Sequence, residues 1–288
     1  MYYSFLTLRR VNIPLDMTKL NESRYSPGVL DGVHREVFDF LSANLGALLR
    51  YGAILTLVEL VIWVVLPMSL WFIELIPSVL FVAMFAIAIH RALLMGDRRI
   101  PTLLDIRILI FIVAGVVQML FAGAAIVVAA AGALLILLFV ILFLPLSELP
   151  LPPYFPLATM LIVLVPSATL ALSKTILYFP HIAITPQHKL SMPSVWELTR
   201  GVVLQISKHL FPYILLLALV GRFFSQINEN ADVASFMTRL VAAPAEGIYY
   251  LFYYLATAVM ATLASVIYRR LTDDLRQRAL DSESAVDR

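Results

Sequence analysis

The sequence predicts an all-α fold, a polytopic bundle of about six membrane-spanning helices. Three observations predict it. Of 288 residues, 61% are hydrophobic and 14% charged, against roughly 45–50% and about 25% in an ordinary soluble domain. The mean hydropathy is +0.91. The apolar residues are gathered into blocks, and one uncharged run, 108–146, is 39 residues long, where about 20 suffice to cross the hydrocarbon layer. The stretches left for water are the first 33 residues, the last 20 and 225–243. None is long enough to bury a core of its own, which excludes a soluble catalytic domain.

The blocks are 51–72, 75–95, 108–146, 157–172, 210–224 and 244–268. The opening residues lack a basic run followed by an apolar one, so an uncleaved cytoplasmic N-terminal segment, 1–33, is expected. Pro67 and Pro77 bracket Glu74 and predict a tight turn between the first two spans. Basic residues then set orientation, because positively charged loops stay in the cytoplasm. With both termini inside, 19 of the 21 lysines and arginines fall on the cytoplasmic side, and only Arg222 and Arg239 lie near the other face. The 39-residue block is too long for one crossing of a core of roughly 30 Å. One span over 108–128 followed by a re-entrant or extra helix, 129–146, preserves the charge rule; the chain then emerges in the proline-rich SELPLPPYFP. Pro166 removes a backbone donor and predicts a kink in the fourth span. The membrane domain is expected over 34–268, with a cytoplasmic tail over 269–288.

Two amphipathic stretches predict helices lying on the cytoplasmic surface. In one, Val37, Leu41, Leu45 and Leu48 form a stripe; in the other, Val195, Leu198, Val202 and Ile206 do so. They align at an offset of 158 residues, and each feeds two spans. A parallel repeat of 37–95 on 195–253 is one reading; two unrelated amphipathic helices is the other.

Net charge is +2, too mild for a nucleic-acid partner. Cysteine is absent, which excludes disulfides and thiolate-held metals. His181 and His188 lack metal-pair spacing, and no nucleotide loop, HExxH or paired catalytic carboxylates are visible. No cofactor is expected.

Glu59 is the sharpest intramembrane charge, eight residues into the first span. An ionisable group at that depth either handles a proton or cation or is held by a polar neighbour such as Gln118. Arg222 and Glu246 are expected at one depth, as an ion pair. From Glu246 run Tyr249, Tyr250, Tyr253 and Tyr254, either a phenol-lined pocket or an aromatic belt. The loop 174–208, with Lys174, His181, His188, Lys189 and Arg200, is either an anionic-lipid site or simply a topology signal.

Around that loop the chain resembles a family. Lys174-x-x-x-x-x-Pro180, then HIAITPQHKLSMPSVWELTRG with Trp196, Thr199, Arg200 and Gly201, and HRALLMGDRR at 90–99, are similar to a bacterial inner-membrane family of unassigned function. The same pattern resembles the membrane domain of some glycerophosphodiester phosphodiesterases, and it covers roughly residues 35–270. Lys174 stands where arginine is usual, keeping the charge without the bidentate fork. The resemblance implies a six-span membrane protein and supplies no catalytic residue, since a phosphodiesterase barrel needs roughly 200 or more further residues.

The expected function is therefore non-enzymatic: an inner-membrane protein that organises lipid or a partner membrane complex, its partners being lipids, other subunits or a second copy. The competing expectation is a transporter or carrier of a small solute or lipid, resting on Glu59, Pro166 and the repeat.

Overall fold

The computed structural model describes residues 25–66, 71–97, 99, 101, 105–143, 160–185, 192–228 and 236–286. It is an all-α bundle, with no strand among the described residues. Its helices are α1 (Val33–Val65), α2 (Trp71–Met95), α3 (Ile106–Phe143), a π-helical turn (Met160–Leu164), α4 (Val165–Thr175), α5 (Tyr178–Ile184), α6 (Met192–Thr199), α7 (Val203–Asn228) and α8 (Phe236–Val286). Among the described residues, six stretches are long and apolar enough to cross a membrane.

α8 is the axis of the bundle and the most enclosed of the six. At 51 residues it is about 76 Å long, far beyond the hydrocarbon thickness. α1 runs along it, and α2 packs on its other flank. α3 lies against α4 and α5, while α7 leans mainly on α4 and touches α8 little. The expected boundary after residue 268 falls inside α8, whose last turns carry Arg269, Arg270, Asp274 and Arg278 as one continuous helix.

Residues 25–32 are fastened to that extension. The Ser26 N–H donates to Asp274 Oδ2 at 3.0 Å, and the Ser26 hydroxyl to Oδ1 of the same carboxylate. Arg270 binds Glu36 through Nε at 2.9 Å and also through Nη2, while its Nη1 reaches the carbonyls of Val29 and Asp31. Arg269 adds a second guanidinium on Glu36. Both described chain ends therefore meet at one end of the bundle.

Four expectations are corrected. First, α3 is unbroken from Ile106 to Phe143, so the described part of 129–146 continues the helix of 108–128 and is not a separate re-entrant or extra helix. Glycine inside a helix costs only about 1 kcal/mol, and in hydrocarbon the freed backbone groups would find no water, so the helix continues through Gly115, Gly123 and Gly132. Second, the predicted first surface helix is the opening of α1. Val37 and Leu48 are buried within the bundle although Leu45 is half exposed, so the stripe is read by α8 and its neighbours rather than by acyl chains. Third, the second surface helix is interrupted. α6 ends at Thr199, Gly201 adopts φ +85°, a left-handed turn for which glycine has no steric cost, and α7 begins at Val203. Val195, Leu198, Val202 and Ile206 pack against Tyr25, Leu30 and Val33. Residue 43, which the 158 offset aligns with Gly201, sits within continuous α1; the two units thus differ in backbone at that point. Fourth, Pro77 lies within α2 rather than ending a turn.

At Pro166, where a kink is expected, a π-helical turn gives way to α4, and the proline stands in the first turn of that helix. Ser167 and Thr169 hydroxyls donate to the carbonyls of Val163 and Val165 at 2.6 and 2.7 Å, satisfying polar groups within the span. α2 ends on Gly96 at φ +69°. The Arg99 N–H (3.0 Å) and the Arg91 guanidinium hold the Asp97 carboxyl below the usual carboxylate range, closing the turn of the HRALLMGDRR motif. The proline-rich 147–156, residues 186–191 with His188 and Lys189, and the polar connector 229–235 lie outside the described residues.

Candidate functional site

Glu59 is 1% exposed. The Tyr254 hydroxyl of α8 donates to its Oε1 at 2.6 Å. Close approach of α1 to α8 makes this geometry available: a Cβ at Gly52 would lie 3.6 Å from both Leu251 and Tyr254. Phe85 of α2 closes the far side of the phenol edge-on, 5.8 Å between centroids. Glu59 is therefore sealed in a three-helix contact, and its partner is Tyr254 rather than the expected Gln118. The tyrosine column splits, because residues 253 and 254 point about 100° apart on a helix: Tyr254 enters the core, and Tyr253 is 41% exposed. Glu246 is buried; the Arg222 side chain expected beside it lies outside the described side chains.

Gln118 belongs elsewhere. With His90 of α2 and Tyr253 and Thr257 of α8 it lines a cavity of about 240 Å³ whose remaining wall is apolar, including Val82, Phe111, Leu172, Phe179 and Leu217. Among the described residues no Asp, Glu, Lys or Arg lines it. His90 is buried, with Nδ1 2.6 Å from the Ser265 hydroxyl, and Thr257 donates to the Tyr253 carbonyl at 2.9 Å. Tyr253 is 41% exposed and α7 touches α8 little, so the described residues cover the cavity least on the side between these two helices. A larger depression, about 440 Å³, lies beside Val61, Val65, Ile76 and Pro77, and its lining among the described residues is apolar.

The family-like motif is brought together in space. Lys174, in the last turn of α4 rather than in a loop, holds Nζ 5.0 Å over the Trp196 ring, a cation–π contact. Phe121 of α3 meets the same ring edge-on at 6.2 Å. Thr199 is buried and donates to the Trp196 carbonyl at 2.9 Å, while Arg200 is exposed, 3.8 Å from Glu197. Lys174 and Phe121 thus hold the Trp196 ring of α6 against α4 and α3, Thr199 bonds within α6 itself, and Arg200 faces solvent.

Two features were not marked as candidate sites by the sequence. Arg239 is 6% exposed; its Nη1 donates to the Trp63 carbonyl at 3.0 Å and to that of Leu66, capping the C-terminus of α1, whose last turn carries no basic residue of its own. At the end of the bundle that holds the chain ends, Tyr213 OH lies 2.9 Å from His34 Nδ1, and His34 Nε2 lies 2.9 Å from His209 Nδ1. Among the described residues no group of three or more His, Cys, Asp or Glu is placed to hold a metal ion. No protein-family model, curated protein or solved structure matches the chain.

Proposed function

We propose that the chain is a non-enzymatic protein of the bacterial inner membrane, with both termini cytoplasmic, that organises lipid around and within its bundle. One observation carries the reading: the polar-lined cavity described above has no charged side chain among its described lining and is least covered between α7 and α8. Water follows charge and continuous polar lining, whereas acyl chains follow apolar walls that open at membrane depth. A solute carrier coupled to Glu59 requires an aqueous path to that carboxyl, and Glu59 is enclosed by α1, α2 and α8. The distribution of basic residues supports the orientation, and the resemblance of the Trp196–Gly201 motif supports the bacterial inner membrane. Native mass spectrometry of the chain released from lipid nanodiscs tests the reading. The expected spectrum carries lipid mass on the protein ion at low activation energy; a chain that emerges bare under the mildest release contradicts it.

A further inference from the structure

Resting on that lipid-organising reading, we propose that the α2–α3–α8 cavity receives the polar end of an uncharged single-chain amphiphile, an alcohol or ester, and rejects charged headgroups. Gln118 identifies the class. Its amide brings two donors and an acceptor, yet none of the hydrogen bonds among the described residues engages it. Its neighbours Val117, Met119 and Leu120 are 50%, 73% and 69% exposed, so this stretch of α3 faces lipid and offers the amide no water. A hydroxyl or ester carbonyl entering the cavity satisfies it.

The same lining excludes charge. A phosphate or carboxylate drawn to Gln118 would leave water with no counter-charge along the wall, a transfer that is strongly unfavourable. Arg91, next to His90 in the chain, is already paired with Asp97, Arg107 at the start of α3 lies 3.9 Å from Asp105, and Arg269 and Arg270 are held by Glu36. Size narrows the class further. A volume of about 240 Å³ equals that of roughly eight liquid waters. That holds a small headgroup and the first methylenes of one chain, the remainder leaving past Tyr253 and Leu217.

The test uses the full-length protein in nanodiscs and two probes with one acyl chain, 1-oleoylglycerol and its 3-phosphate ester, with binding read by native mass spectrometry. Wild type is expected to bind the uncharged probe at least about tenfold more tightly. Gln118→Leu is expected to weaken that binding roughly five- to tenfold, the worth of one buried hydrogen bond, and to leave the phosphate ester unchanged. Ala256→Trp, which fills the cavity, is expected to abolish it; Ala86→Leu serves the same purpose should the tryptophan variant fail to fold. Equal or tighter binding of the phosphate ester, insensitive to Gln118→Leu, overturns the uncharged class while leaving the lipid-organising reading standing. Uncharged-probe binding that survives cavity filling removes the ligand from this cavity. Loss of both probes together with bare chains in the native spectrum overturns the underlying reading as well.

Discussion

Replacing Tyr254 by phenylalanine is expected to lower stability by about 1–3 kcal/mol, the cost of depriving a buried acceptor of its donor, whereas Glu59→Gln is expected to change it little. The asymmetry follows from geometry. Tyr254 is fully buried and its hydroxyl meets Glu59 Oε1 at 2.6 Å, so the phenylalanine variant keeps the packing of the ring and removes only the bond. Glutamine presents a carbonyl oxygen at the same place and has no carboxyl to desolvate. Thermal unfolding of both variants in one detergent reads the difference. The double variant should show coupling of roughly 0.5–3 kcal/mol, as expected of residues in direct contact. A Glu59→Gln loss equal to that of Tyr254→Phe, or a transport defect in Glu59→Gln with stability intact, would return Glu59 to a functional role.

Arg239→Ala is expected to be costlier still, about 3 kcal/mol, because two charge-assisted hydrogen bonds disappear and the last carbonyls of α1 lose their partner in a water-poor setting. The guanidinium sits against the negative end of a 33-residue helix, where a cation is favoured. Arg239→Lys keeps the charge and loses the fork, so an intermediate loss is expected. Hydrogen exchange at 62–66 should rise in Arg239→Ala while exchange in the middle of α8 stays slow. Protection at 62–66 that equals wild type would show that the cap contributes nothing.

The bundle was legible because its signal is local: each apolar block carries its own length and its own flanking charges. The α8 extension and the α3 length were not, since nothing in a sequence marks where a helix leaves the bilayer, and glycines without prolines do not end one. The stripes at 37–48 and 195–206 gave the correct buried face at Val37, Leu48, Val195, Leu198 and Ile206. Period alone, however, does not distinguish protein from acyl chains as the apolar neighbour. The site residues divide in the same way. Glu59 was marked by depth, but its partner stands 195 positions away, a separation no spacing rule reaches. Arg239 stood out only as an exception to the charge rule, and the exception has a cause: the charge is spent on another helix end. His90 looked like part of a cytoplasmic turn because it is followed at once by Arg91, yet it lies one turn inside the bundle against Ser265.

The most direct measurement of the central claim, that lipid and not water occupies the space beside Gln118, exploits the absence of cysteine. A spin label on Thr257→Cys, at the cavity rim, is compared with labels on Leu120→Cys, which faces lipid, and Arg276→Cys, on the polar end of α8. Collision rates with molecular oxygen, which concentrates in hydrocarbon, and with a water-soluble nickel chelate report the medium at each site. The expected result is a residue 257 label that follows residue 120: high oxygen access and little nickel access. Nickel access equal to that at residue 276 would mean a water-filled path into the bundle, and the lipid-organising account would give way to that of a carrier.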